Sequence, residues 1–294
     1  VDFSEERMER PGVGEDMISI LQAQAENIPL AEKSVDLVFG SPPYCDARTY
    51  GINAQRNCME WVDWMLKVTT ECMNISRGPV VWVAAGVTRD RNYWPACEGL
   101  MWEWWKRGGH YQLYRPCIYH RQGIPGSGQD DWFRSDWEYV MCFKDEGKLP
   151  WSDNTAMGHK PIYRAGGGCT NRSSSWIDKS RKADGRRRIK KYACPEISNP
   201  GNVISLGAIG GGKTGGKICH ENEAPFPERL AEFFIRSLCP PGGTVLDPFS
   251  GSGTVAAVAE KFGRNSIAAD IRYSQCEILK KRQHNLQRMM DGVA

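Results

Sequence analysis

The stretch Thr244-Val245-Leu246-Asp247-Pro248-Phe249-Ser250-Gly251-Ser252-Gly253-Thr254 decides the fold. Val245 and Leu246 form a short apolar strand that runs into a glycine-rich turn, and a helix is expected from about Thr254 to Phe262. Ser266-Ile267-Ala268-Ala269-Asp270 follows, a second strand that ends in an acid. Gly251 and Asp270 lie 19 positions apart. That is close to the spacing at which a Rossmann-type unit places a carboxylate on a ribose. A lone Gly-x-Gly would carry little. Strand, glycine turn, helix, strand and acid in this order point to a nucleoside-containing cofactor.

Far upstream, Ser34-Val35-Asp36-Leu37-Val38-Phe39-Gly40 reads as a buried parallel strand that stops at glycine. Ser41-Pro42-Pro43-Tyr44 comes next. Its prolines remove backbone donors and fix φ, so the loop is stiff. In open α/β sheets, ligands bind just outside the carboxyl ends of the strands. At that place Ser41 Oγ, the Pro42 carbonyl and the Tyr44 ring suit a planar, amino-bearing ring: acceptors for its N–H groups and a face to stack on. Taken alone, the tetrapeptide is equally well a proline turn.

Together these stretches resemble the amino-methyltransferases of DNA that use S-adenosylmethionine. The family's tetrapeptide (D/N/S)PPY stands here as SPPY, and its cofactor loop DPFxGSGT as DPFSGSGT. The catalytic stretch precedes the cofactor stretch, as in the permuted β subgroup. Trp137-Glu138-Tyr139 and the run from His220 to Pro227 (HENEAPFP) agree in order, so the resemblance covers roughly residues 17–143 and 218–290. It implies a Rossmann-like, seven-stranded, mostly parallel α/β sheet with an antiparallel edge hairpin and an inserted basic target-recognition region.

The resemblance also assigns residues. Ser41, Pro42, Pro43 and Tyr44 would be catalytic, with Tyr44 stacked on a base that has left the duplex. Asp247, Phe249, Gly251, Gly253, Thr254, Asp270, Phe226 and Gln24 would bind the cofactor, glutamine standing at Gln24 where the family usually has an acid. A serine in first position resembles the N4-cytosine members; N6-adenine is the alternative within the same chemistry. A covalent cysteine route would need a placed Pro-Cys nucleophile, and Pro116-Cys117 sits inside an expected strand, where a buried structural thiol is the better reading.

Charge is uneven. The chain totals +3, yet residues 144–217 hold 15 Lys/Arg against 6 Asp/Glu, a local +9 that leaves −6 elsewhere. Such asymmetry is a polyanion footprint, with a solvated loop as the plainer reading. Arg134, Arg186, Arg187, Arg188, Lys190 and Lys191 are the candidate contacts to double-stranded DNA. This organises the chain as 1–143 (catalytic half), 144–217 (basic insertion) and 218–294 (cofactor half).

Eleven cysteines without C-x-x-C pairs argue for reduced thiols in a cytoplasmic setting and against a metal site. No run of apolar residues is long enough for a membrane span. A second copy of the chain stays among the admissible partners. Gly207 to Thr214 (GAIGGGKT) satisfies the Walker A expression, but Gly215-Gly216 is a poor helix start, which disfavours nucleotide hydrolysis. A non-catalytic DNA-binding module is the competing reading from another class, and the intact SPPY and Gly-x-Gly speak against it. Helices are expected over 58–75, 93–105, 225–238 and 273–290, with Trp61 and Trp64 read as core.

Overall fold

The computed structural model describes residues 17–45, 56–111, 116–123, 133–161, 168–169, 190–191, 195–207 and 226–290. In chain order its elements are β1 (Ile18–Gln22), β2 (Leu37–Gly40), α1 (Cys58–Ile75), β3 (Val80–Ala84), β4 (Val87–Arg89), β5 (Asn92–Trp94) and α2 (Ala96–Lys106). Next come β6 (His110–Tyr111), β7 (Cys117–Gln122), β8 (Trp137–Lys144), β9 (Gly168–Cys169), β10 (Lys190–Lys191) and β11 (Val203–Gly207). The last are α3 (Glu228–Leu238), β12 (Thr244–Asp247), α4 (Thr254–Lys261), β13 (Asn265–Asp270) and α5 (Tyr273–Met290). Two compact units emerge: Val1–Asp153 with Gly201–Ala294, and Asn154–Pro200.

The first unit is built on a nine-stranded sheet of order β1-β13-β12-β2-β3-β8-β7-β11, with β6 also on β8. Every pairing is parallel except those of β8, which runs against β3, β7 and β6. The consequence is positional. Gln22, Asp270, Asp247, Gly40, Ala84, Gln122 and Gly207, each the last residue of its strand, lie along one edge with Trp137, the first residue of β8.

The parallel strands are apolar on both sides because helices cover both. Val38, Val80, Trp82, Met141 and Phe143 pack with Trp61, Met65, Leu66 and Leu100 of α1 and α2. Leu37, Phe39, Val81, Val83 and Val245 pack with Leu230, Phe234, Ile235 and Val255 of α3 and α4. Helix α1 starts where the sequence says it should. Asn57 Oδ1 accepts the Glu60 N–H at 2.9 Å, and Glu60 Oε2 accepts the Asn57 N–H at 3.0 Å, a reciprocal capping box.

The mostly parallel α/β fold is as expected, and three details differ. The sheet has nine strands, because β6 and β11 join it. Strand β11 comes from the stretch read as basic insertion; its exposed Val203, buried Ile204 and exposed Ser205 alternate with period two, over too few residues to stand out in the sequence. It pairs with β7 in parallel, so the antiparallel β7–β8 pair is not at the sheet edge. The helix expected from Tyr93 begins instead at Ala96, since Val87–Trp94 forms a hairpin turning at Asp90 and Arg91, both at positive φ.

Candidate active site

On the cofactor side the chain folds back on itself. Asp247 ends β12, 3 % exposed, and its Oδ1 accepts the Phe249 N–H at 3.0 Å. Asp270 ends β13, and its Oδ2 accepts the Gly251 N–H at 3.1 Å. Asp270 Oδ1 accepts from the Arg272 backbone N–H at 2.9 Å and its Nε at 3.2 Å. Gly253 is left-handed (φ 79°), and an added Cβ there would lie 2.8 Å from Leu279 Cγ, so both backbone and packing require glycine. Burial pushes the Asp247 carboxyl up to about 8, the Phe249 N–H opposes this, and the Asp270 carboxylate adds to it. Ser250 Oγ is buried in the same loop and has no hydrogen-bond partner among the described residues.

The Phe249 ring meets Trp64 and Trp82 edge-on, each at 5.7 Å. Trp64 is half-buried; its Nε1 donates to Glu26 Oε1, and the Arg56 guanidinium lies 4.1 Å from its ring centre. Gln24 is exposed, in the turn that the Asn27 N–H closes on the Gln24 carbonyl. Phe226 meets the edge of Phe39 at 5.5 Å. Thr254 is the buried first residue of α4.

The SPPY side is held by other parts of the chain. Ser41 Oγ donates to the Val83 carbonyl at 3.0 Å. A hydroxyl has one proton, so with that proton committed Ser41 meets any further N–H group as an acceptor. Trp61 Nε1 donates to the Pro43 carbonyl at 2.7 Å. Tyr44 is half-buried, and its hydroxyl donates to Glu138 Oε2 at 2.9 Å. Burial first, then the Glu138 carboxylate, raises the Tyr44 pKa well above that of a free phenol.

The two sides touch at Gly40. A Cβ added there would lie 2.7 Å from Asp247 Oδ1, so only glycine lets strands β2 and β12 bring tetrapeptide and acid together.

Beyond Tyr44 the strand starts and ends carry charge. Arg121 Nη1 is 3.1 Å from Glu138 Oε1, and Arg134 Nη2 is 3.6 Å from Asp136 Oδ2. Trp137, 39 % exposed, meets Tyr139 edge-on at 4.8 Å, and the Tyr139 hydroxyl donates to Glu98. Burial, then Glu98, pushes the Tyr139 phenol up to about 12.

The structure therefore gathers Ser41–Tyr44, Asp247, Phe249, Gly251, Gly253 and Asp270 at one sheet edge, with Gln24 just beyond the end of β1. Arg186, Arg187 and Arg188 lie outside the described residues, as does the GAIGGGKT run beyond Gly207. Lys190–Lys191 forms β10, antiparallel to Gly168–Cys169. Cys117 opens β7 and is 2 % exposed. Sequence reasoning missed Glu138 as the partner of Tyr44, with Arg121 behind it, and Trp64 as a neighbour of Phe249, with Glu26 behind it. The Trp137-Glu138-Tyr139 match flagged the first of these without a role; only the strand pairing shows it. Among the described residues no group of His, Cys, Asp or Glu is placed to hold a metal ion. No helix there is long and apolar enough to cross a membrane.

Fold and edge together define the methyltransferase sheet. The PvuII DNA methyltransferase (cytosine-N4-specific) superposes with a TM-score of 0.62 at 17% identity, covering 94% of this chain and 93% of that one. A Thermus thermophilus protein solved with S-adenosyl-L-methionine gives 0.56 at 21% identity, covering 91% and 93%. In sequence, the orphan methyltransferase M.BamHII of Bacillus amyloliquefaciens is 29% identical over 275 residues, 91% of this chain and 96% of that protein. The Type II methyltransferase M.BglII of Bacillus subtilis is 24% identical, matching 85% of this chain and 64% of its own length. Residues 35–281 match the family model N6_N4_Mtase, described as DNA methylase, and the chain belongs to that family. It is an S-adenosylmethionine-dependent DNA methyltransferase.

Proposed function

We propose that this chain moves a methyl group to the exocyclic N4 of a cytosine swung out of double-stranded DNA. The observation that carries the reading is the Ser41 hydroxyl, fixed as an acceptor by its bond to the Val83 carbonyl at the sheet edge, directly after the Gly40 that packs against Asp247. An exocyclic amine is planar because its lone pair is delocalised into the ring. Ser41 Oγ and the Pro42 carbonyl would take its N–H groups and hold the nitrogen towards the cofactor side. Alignment and exclusion of water then supply most of the rate. Tyr44 would stack on the base.

The residues present fit the cofactor. The Gly251–Gly253 turn runs at positive φ between the two acids, Asp270 would take ribose hydroxyls in competition with Arg272, and Ser250 Oγ, a buried hydroxyl without a partner among the described residues, could bond the cofactor. Asp247 would become an anion beside the cofactor's cationic groups. When bound, S-adenosylmethionine supplies a sulfonium methyl. Phe249 and Thr254 would shape the pocket, with Phe226 and Gln24 at its margins.

The basic stretch within 144–217, between the halves 1–143 and 218–294 in the sequence, would meet phosphates through Arg186, Arg187, Arg188, Lys190 and Lys191, and Arg134 would be a further contact to DNA. Serine first in SPPY supports cytosine. N6-adenine is the second reading, because the family model spans both N6 and N4 members.

Incubation with duplex DNA and methyl-labelled cofactor, then nucleoside analysis, tests this: label in N4-methylcytosine is expected. Label in N6-methyladenine would replace the base assignment, and none in either would end the whole reading.

A further inference from the structure

We propose that Glu138 and Arg121 are a positioning pair that holds the Tyr44 ring through its hydroxyl. This rests on the reading of Ser41–Tyr44 as the methyl-acceptor site and extends it to residues outside both signature loops.

Glu138 uses both carboxylate oxygens. Oε2 accepts the Tyr44 hydroxyl at 2.9 Å, and Oε1 is 3.1 Å from Arg121 Nη1. The Glu138 side chain is 12% exposed. At that depth an unpaired carboxylate is costly, and a paired one with its lone pairs filled is tolerated. Arg121 is fixed in its turn: Nη2 donates to the Ser135 carbonyl at 2.9 Å, and its backbone N–H donates to the Asp136 carbonyl at 2.7 Å.

A relay of directed bonds thus runs from Tyr44 through Glu138 and Arg121 to the segment entering β8. That segment is exposed at Phe133, Arg134 and Ser135. The other anchors of the loop, Ser41 to Val83 and Trp61 to Pro43, hold its backbone side. Glu138 instead grips the far end of the Tyr44 ring, at its hydroxyl. The register explains why it is in reach: Glu138 opposes Tyr119, two residues before Arg121, and Tyr139 opposes Ala84 at the end of β3. Glu138 therefore stands at the carboxyl edge, where the Tyr44 loop emerges.

A salt bridge serving stability alone would shift the unfolding midpoint and leave transfer unchanged. A positioning pair slows transfer through Tyr44 and nothing else. Single-turnover methyl transfer on duplex DNA, with cofactor affinity by calorimetry, separates the two for Tyr44→Phe, Glu138→Ala, Glu138→Gln and the double variant Tyr44→Phe/Glu138→Ala.

Glu138→Ala is expected to slow transfer about 10- to 100-fold, the scale of a misplaced reacting group. Cofactor affinity should stay within about twofold of the parent, since the cofactor contacts lie on other strands. Glu138→Gln, whose amide oxygen still accepts the phenol proton but whose amide nitrogen cannot accept from Arg121, should recover part of the loss. The double variant should be no slower than the slower single one. If Glu138→Ala does not fold, the same cycle run with Glu138→Gln decides, and there too the double must not be slower than the slower single. Multiplying effects in either cycle, or parental transfer in Glu138→Ala, overturn the proposal. A parent that transfers no methyl group overturns the function reading itself.

Discussion

The cofactor half and the acceptor half of the sheet edge are assembled in opposite ways. Between Thr244 and Arg272 the chain makes a strand, turn, helix and strand, and the carboxylates of its two acids bond inside that stretch: Asp247 to Phe249, Asp270 to Gly251 and Arg272. The acceptor loop instead reaches Val83, Trp61 and Glu138, each on a different element. A locally closed loop is set by its own sequence. A loop braced from outside is set by the sheet, and its geometry can be altered from a distance.

That contrast predicts crossed phenotypes. The largest effect belongs to Tyr44→Ala, which removes the proposed stacking face, worth about 1–3 kcal/mol, and leaves Glu138 without its phenol. Single-turnover transfer should fall by about a hundredfold while calorimetry finds cofactor affinity close to parental. Joint loss of both would mean the halves are one unit.

Asp270→Ala should show the converse. Cofactor binding weakens by about 1–3 kcal/mol, the cost of an unmet polar partner. Transfer at saturating cofactor stays near parental, and an unchanged affinity would remove Asp270 from the site.

A further test reads a pH slope. Asp247 titrates near about 8 in the folded chain, against an ordinary 3.8, because burial disfavours its charge. Between those values the folded chain holds a proton that the unfolded chain has lost. This contribution to stability is therefore present at low pH and is lost as pH rises towards the folded value. Asp247→Asn, which still accepts the Phe249 N–H, should flatten the slope in urea titrations run across that window and bind cofactor poorly. An unchanged slope would place its origin elsewhere.

The same contrast explains what the sequence disclosed. Asp247, the glycine turn and Asp270 were legible because strand, turn, helix and acid follow one another at a spacing set by the fold. The extents of α1 and α5 were legible too, from an apolar pattern over 58–75 and a basic, amphipathic run over 273–290. Glu138 was visible only as part of a three-residue match, since its bond to Tyr44 spans 94 positions and depends on β8 running against β3. Strand β11 was hidden for another reason. Its Val203, Ile204 and Leu206 are three apolar positions in a five-residue run, and what makes them a strand is the edge of β7.

The strand order has a consequence for how the enzyme is born. Strands β13 and β12 occupy the space between β1 and β2, although they follow β11 in the chain. A growing polypeptide that has emerged only as far as β11 already carries SPPY, but β1 and β2 face a gap with their hydrogen-bonding edges open. Such edges invite wrong pairing. Filling that gap is what joins Asp247 to Gly40, so the two halves of the site meet only once β12 and β13 have been inserted between strands made long before them.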